Sequence, residues 1–246
     1  MDLWFDVLVT AGGLAAGVIA AVSGFGIGSV LTPILALTVD ARLAVAAVSV
    51  PHVIGTALRF WFLRTSVDRS VFWSFGLTSA AGGLVGALLQ GAVTNRWLML
   101  VFGVLLLFTA ASELTGLARR MRFRGPAGWI AGALSGFLGG LVGNQGGIRS
   151  AALLGFNLSK ETFVATATAI ALFVDGARLP VYLATQHQEI AGIGRWVALA
   201  TVGVVAGTLL GRHVLEWIPE SRFRRVVAVT LGILGAAMLA RAAAIH

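Results

Sequence analysis

The residues of this chain best equipped for chemistry are arginines, a histidine and an aspartate set inside long apolar stretches. Ser49, His52, Thr56 and Arg59 follow spacings of three, four and three, which puts them on one face of a helix. A shift of 119 residues lands on Thr168, Ala171, Asp175 and Arg178 with the same spacing. Arg149 closes the tract Gly143-Asn144-Gln145-Gly146-Gly147-Ile148. Backbone amides at the start of a half-helix, its dipole and a planar, bidentate guanidinium together suit an oxyanion such as sulfonate, sulfite or carboxylate. Asn144 and Gln145 add neutral hydrogen bonding. The candidate anion-binding set is therefore Arg149, Asn144, Gln145, Gly146 and Gly147, with Gly26, Gly28 and Ser29 from an earlier glycine tract and Arg59 and Arg178 from the polar stripes. His52 and Asp175 are candidates for coupling transport to protons, since titratable groups at membrane depth usually serve function.

Each of these residues also has a plainer reading. Arg59 lies five residues from Arg64 at the helix end, so its stem could snorkel to the interface. Asp175 and Arg178 could neutralise each other on one helix. His52, beside Pro51 and about 15 Å from its helix start by the helical rise, could be a hydrogen-bonded structural residue. On one straight helix from Ala127, Arg149 would emerge about 33 Å away as an anchor at the opposite interface. The first glycine tract has Val30 where the second has Arg149, so charge recognition would be asymmetric.

The elements that must position these groups are membrane helices. The chain is 58% hydrophobic and 11% charged, with a mean hydropathy of +0.92, which excludes an ordinary soluble domain. The absence of cysteine excludes a disulfide framework, a thiol nucleophile and a Cys-ligated metal. Of 18 basic residues all but Lys160 are Arg, and they fall mostly at segment ends. That distribution fits lipid head groups rather than nucleic acid. Met1 to Asp6 lacks the positive start of a cleavable signal, so the first segment is expected to stay as a span.

Eight apolar stretches fall near 4–36, 41–63, 70–92, 96–117, 127–156, 161–185, 193–212 and 222–243. The first and fifth are too long for one straight crossing: a thirty-residue helix would reach about 45 Å against a hydrocarbon core of about 30 Å, so tilt, a break or a re-entrant piece is required. The glycine tracts Ser23 to Ser29 and Gly143 to Arg149 sit where a break would serve, and non-helical backbone at that depth survives only when buried in protein or lining a cavity. The fold expected is thus all-α and polytopic, with about eight transmembrane helices in two four-helix repeats, the first helix of each broken at glycine. The repeats run over 1–118 and 127–246, joined by the basic linker 119–126 with Arg119, Arg120, Arg122 and Arg124. The ungapped shift that relates the stripes also superposes Gly13 on Gly132, Gly17 on Gly136, Gly24 on Gly143, Gly28 on Gly147 and Arg59 on Arg178. Duplicated halves are a common transporter plan with the site where the repeats meet. Four crossings per half would make the repeats parallel; an odd number, if a glycine-broken segment turns back, would make them inverted. With eight straight crossings, Lys and Arg divide seven against eight between the sides, and only the clustering in the linker favours both termini inside.

Gly82-Gly83-x-x-Gly86 and Gly203-x-x-x-Gly207-x-x-x-Gly211 read as small-residue ridges for close helix packing. Trp4, Trp61, Trp73, Trp97, Trp129, Trp196 and Trp217 fall mostly near segment ends, as interfacial belts do. Gly24-Phe25-Gly26-Ile27-Gly28 lacks the strand and crossover of a dinucleotide site.

The tract Gly24 to Pro33, its echo from Gly143 to Ala152 and the two four-helix halves resemble the TauE/SafE family of sulfite and sulfonate exporters, over essentially the whole chain. Ile27 interrupts the family's usual consecutive glycines, and Ala152 replaces the proline of the second half. The resemblance implies a secondary transporter, not an enzyme, that moves small organosulfur or organic anions such as sulfite or sulfoacetate across the bacterial inner membrane. It implies export by alternating access, driven by protons, another coupling ion or the membrane potential, with no cofactor and with a homo-oligomer left open. Two rival classes are a passive anion channel and an intramembrane enzyme. The second lacks support, because His52 stands alone at depth while His187, His213 and His246 lie toward segment ends, so no metal site is expected.

Overall fold

In the computed structural model, which describes residues 3–117, 126–156, 158–217 and 220–245, the regular elements are helices throughout. They are α1 (Leu3–Ser23), α2 (Ile27–Leu35), α3 (Ala41–Leu63), α4 (Arg69–Gln90), α5 (Asn95–Thr115), α6 (Pro126–Val142), α7 (Gly146–Leu153), α8 (Lys160–Gly192), α9 (Gly194–Trp217) and α10 (Glu220–Ala244). Among the described residues seven helices are long and apolar enough to cross a membrane, and Ala127–Val142 is a shorter apolar helix. The all-α, polytopic expectation therefore holds. Of the basic linker only Pro126 lies within the described residues, and His246 also lies outside them.

Polar residues placed just before apolar runs start the long helices. Asp40 accepts from the Leu43 amide at 2.7 Å, Asp68 from Val71 at 2.9 Å and Ser159 from Thr162 at 3.2 Å, each answering one of the orphan amides of a first turn. The helix α8 passes through non-helical backbone at Gln186, six residues after Pro180.

Both glycine tracts break their helix. Gly24 and Gly143 take positive φ of 78° and 75°, a conformation that L side chains rarely adopt, and Gly26 follows at 129°. The chain then turns back. Gly12 of α1 lies against Ile34 of α2 while Gly26 lies against Ile19, so α2 runs antiparallel along α1. Gln145 likewise folds onto α6, where its carbonyl accepts from Ser135 Oγ at 3.1 Å and its side chain covers Gly139. At nine and eight residues, α2 and α7 span only about 12–14 Å, far short of a crossing. Of tilt, a break or a re-entrant piece, the first and fifth apolar stretches show a break at glycine followed by a re-entrant piece, and each is a hairpin.

This changes the bookkeeping of sides. One side of the bundle, the near side, holds the start of α1, paired through Asp6 to Arg195 at the start of α9. It also holds Ala41, which donates to Asn95 at 2.7 Å, and Arg241, which donates to the Leu37 carbonyl at 3.1 Å. The far side holds Arg224 with Glu113 at 2.9 Å, Ser66 with Glu161 at 2.6 Å and Asp68 with Thr166 at 2.9 Å. The segment from α1 to α5 thus starts near and ends far, and the segment from α6 to α10 starts far and ends near. Arg42, Arg96, Arg195 and Arg241 fall on the near side, whereas Arg64, Arg69, Lys160, Arg222, Arg224 and Arg225 fall on the far side. Among the described residues the far side thus carries six of these charges against four on the near side, where eight straight crossings lead to a tie.

Close approach of backbones holds the bundle together. Gly13 and Gly17 of α1 press on the carbonyls of Ala200 and Val204 in α9, and Gly203 and Gly207 press back on Thr10 and Leu14. Gly82 and Gly86 of α4 meet Ala133 and Phe137 of α6, while Gly136 and Gly140 meet Ser79 and Gly83. A Cβ at any of these positions would overlap a backbone carbonyl, the geometry expected where packing without a hydrophobic driving force relies on small residues. Each hairpin is therefore gripped by a helix of the other segment, and α3 against α8 forms the central pair.

Candidate functional site

The tips of the two hairpins meet inside the bundle. Gly28 sits directly against the Gly143 carbonyl, and Gly146 sits against the Phe25 ring. Ser29 Oγ donates to Asn144 Oδ1 at 3.2 Å. The starts of α2 and α7 thus come together, and each directs unsatisfied first-turn amides and a positive dipole end toward the junction. The N-cap of α2, Gly26, supplies no side-chain acceptor, so nothing on that residue competes for those amides. Gly147 packs against Thr109 of α5, which fixes α7 from its other face.

Arg149 reaches across this junction. It is 2% exposed, and its Nη2 donates to the Gly24 carbonyl at 3.2 Å, while Nε and Nη1 have no hydrogen-bond partner. It therefore makes no interfacial anchor. Asn144 and Gln145 are each 4% exposed, with Asn144 Nδ2 and both polar atoms of the Gln145 side chain unpartnered. Buried polar groups are nearly always hydrogen-bonded, so orphans clustered in one place mark a place for a ligand or solvent.

Arg59 of α3 is 4% exposed and turns inward: its Nε donates to Thr168 Oγ1 of α8 at 2.8 Å and its Nη1 is unpartnered. It does not snorkel. The two arginines are close: Gly24, whose carbonyl Arg149 holds, lies against Ala167, the residue before Thr168 to which Arg59 donates.

Arg178 is differently placed. Its Nε and Nη2 meet Asp175 Oδ1 at 3.0 and 2.8 Å, and its Nη1 donates to the Gly139 carbonyl at 2.5 Å. The other carboxylate oxygen, Oδ2, lies 2.7 Å from His52 Nδ1, and Thr56 Oγ1 is 3.5 Å from the same ring nitrogen. The plainer reading of Asp175 and Arg178, mutual neutralisation on one helix, is thus part of the picture, with His52 from α3 as the third member. Both carboxylate oxygens are engaged, and every donor arm of Arg178 is in use. The structure brings Arg149, Asn144, Gln145, Ser29 and the starts of α2 and α7 together with Arg59 alongside, and sets Arg178 apart as a clamp on the end of α6.

Several residues were not singled out from sequence. Tyr182, the one tyrosine of the chain, donates to the Gly140 carbonyl and continues the Asp175–Arg178 face by one turn, a periodicity that could have flagged it. Thr168 belonged to the second stripe but not to the candidate set. Thr32, buried beside Gly143 with an unpartnered Oγ1, carried no signal beyond its position before Pro33. Among the described residues no group of three or more His, Cys, Asp or Glu gathers in metal-binding geometry.

A family model described as sulfite exporter TauE/SafE matches residues 9–238. No curated protein and no solved structure matches the chain. The matched region runs from within the first hairpin to the last turns of α10 and contains every residue of the site. The chain is a multi-pass membrane protein that belongs to the TauE/SafE sulfite exporter family, a family of membrane anion transporters.

Proposed function

We propose that the protein is a secondary transporter that binds a small oxyanion, sulfite or a sulfonate such as sulfoacetate, where the two hairpins meet, and exports it across the bacterial inner membrane. The observation that carries this reading is Arg149, buried with two unpartnered donor atoms beside two helix starts. An isolated buried guanidinium is costly, so a site that keeps one without a carboxylate has a use for an anion. Asn144, Gln145, Ser29 and the amides at Gly26, Gly28, Gly146 and Gly147 supply further donors. Arg59 lines the same region from α3.

The packing pattern supports two equivalent halves, 1–118 and 127–246, in inverted orientation. Hairpin α1–α2 lies on α9 as hairpin α6–α7 lies on α4, while α3 with α8 and α5 with α10 form pairs that such a symmetry would map onto themselves. Inverted halves give a direct route to alternating access around a fixed site. The far-side excess of Lys and Arg among the described residues supports a cytoplasmic far side, with the start of α1 and the end of α10 toward the exterior, the reverse of the expectation from straight crossings. His52, hydrogen-bonded to Asp175, is the candidate group for proton coupling.

The test is flux of sulfite and sulfoacetate into liposomes holding the purified chain, with and without a pH gradient. Saturable, gradient-dependent flux is expected, and Arg149→Ala should abolish anion binding while the protein stays monodisperse. Unchanged affinity in that variant would remove Arg149 from the site. Flux without saturation would favour a channel. A His52→Gln protein that keeps its full response to the gradient would remove His52 from coupling.

A further inference from the structure

Building on the reading that Arg149 anchors the substrate, we infer that the site selects oxyanions carrying two negative charges and that Arg59 sets this preference. The argument is one of charge matching in a buried place. Arg149 on the Gly24 carbonyl and Arg59 on Thr168 meet where Gly24 lies against Ala167, and Arg178 lies nearby with Asp175, the one buried carboxylate on α3 or α8 among the described residues. That carboxylate is committed: Arg178 takes Oδ1 and His52 takes Oδ2. Arg59 donates only to a neutral hydroxyl and Arg149 only to a backbone carbonyl, so neither has a carboxylate partner of its own at 4% and 2% exposure. His52 on α3 adds a further positive charge only when protonated, and Tyr182 on α8 adds none while its hydroxyl donates to Gly140.

A monoanion would match one of the two free guanidiniums and leave the other buried and uncompensated, which is the costly arrangement. A dianion matches both. The unpartnered atoms point the same way: Arg59 Nη1, Arg149 Nε and Nη1, Asn144 Nδ2 and Gln145 Nε2 are donors. With Asp175 fully engaged, the O–H of a protonated oxyanion would find as unpartnered acceptors near the hairpin junction only the amide oxygen of Gln145 and the hydroxyl of Thr32, both neutral. The array therefore favours an acceptor-only, fully deprotonated group, with Arg149 contributed by one half of the chain and Arg59 by the other.

The experiment measures binding of sulfate and of methanesulfonate to the purified full-length protein in detergent by calorimetry. The two probes share a sulfur–oxygen head, differ by one charge and do not titrate near neutral pH. Wild-type protein is expected to bind sulfate at least about tenfold more tightly than methanesulfonate. Arg59→Gln should lose most of that ratio while keeping methanesulfonate affinity within about threefold, and Arg59→Lys, which retains the charge, should keep the ratio. Equal affinities in wild type, or an unchanged ratio in Arg59→Gln, would overturn the inference and leave the role of Arg149 standing. A loss in Arg59→Lys as large as in Arg59→Gln would also overturn it, since charge would not then be the determinant. Binding of neither probe by wild type would remove both the site and its charge preference.

Discussion

The two hairpin turns are built alike and fastened differently. In each, the first glycine is left-handed and its amide closes the preceding helix, Gly24 onto the Ala20 carbonyl and Gly143 onto Gly139, both at 3.0 Å. The end of α6 is then held from outside. Arg178 binds the Gly139 carbonyl, Tyr182 binds Gly140, and Gln90 binds Leu141 at 3.2 Å while itself receiving Gln186 at 3.1 Å. The end of α1 carries no comparable set. Ser23 of its own last turn donates to Ile19 and Phe25, and Arg149 reaches the Gly24 carbonyl. The residues that stand 119 positions before Asp175, Arg178 and Tyr182 are Thr56, Arg59 and Leu63. With threonine in place of the aspartate, Arg59 has no carboxylate to hold it and turns to Thr168. One set of positions therefore serves as a clamp in one place and as a source of free positive charge in the other.

The largest effect that could break the comparison is topological. The chain has no cysteine, so single cysteines report sidedness without background. Leu37→Cys, Thr65→Cys and Lys160→Cys all lie at exposed positions. With hairpins, Thr65 and Lys160 react with an impermeant maleimide from one side of the membrane and Leu37 from the other. Straight rods would put Lys160 with Leu37, and that result would remove the paired hairpins altogether.

Next in size is the clamp itself. Asp175→Asn strips the charge from a carboxylate shared by His52 and Arg178 and leaves Arg178 buried without its counter-charge, a loss of about 3 kcal/mol or more. Thr56→Val at the related position removes only a 3.5 Å contact to His52 and should cost under about 1 kcal/mol. Thermal unfolding in detergent would show the difference; equal shifts for the two variants would mean that the positions are not differently employed.

The apolar stretches and both breaks could be read from the sequence, because glycine inside a thirty-residue apolar run conflicts with helix propensity and hydropathy fixes the rest. The reversal at each break could not. Glycine permits a left-handed turn without dictating it, and whether α2 continues or returns depends on Ile34 finding room beside Gly12, a contact between residues 22 apart. Spacing placed Asp175 and Arg178 on one face, open both to mutual neutralisation and to anion binding by Arg178, but gave no means of telling that His52 would complete the triad from another helix. Arg59 showed the opposite effect: nearness to Arg64 in sequence suggested the interface, whereas its partner, Thr168, lies 109 residues away.

Tyr182→Phe tests the clamp more finely. It leaves the Gly140 carbonyl buried without its donor, which costs about 1–3 kcal/mol, and should loosen the second turn without touching the first. Hydrogen exchange of α7 against α2 would register this, with faster exchange expected in α7 alone. Equal acceleration in α2 would mean that the turns are mechanically one unit.

The smallest effects compare the turns through their own glycines. At either Gly24 or Gly143 an added Cβ meets left-handed backbone, worth roughly 1–2 kcal/mol in strain. At Gly24 that Cβ would have ordinary contacts, the nearest being Ala167 Cβ at 3.7 Å, whereas at Gly143 it would crowd Val45 Cγ1 at 3.2 Å. Val45 is β-branched and packed inside α3, so it cannot step aside as a long, flexible side chain would. Gly143→Ala should therefore destabilise more than Gly24→Ala, by a few tenths of a kcal/mol beyond the shared backbone strain. Pairing Gly143→Ala with Val45→Ala should erase that excess, because the second substitution removes the crowding and leaves the strain. If the excess persisted in the double variant, its source would lie in the clamped end of α6 and not in the space around the turn.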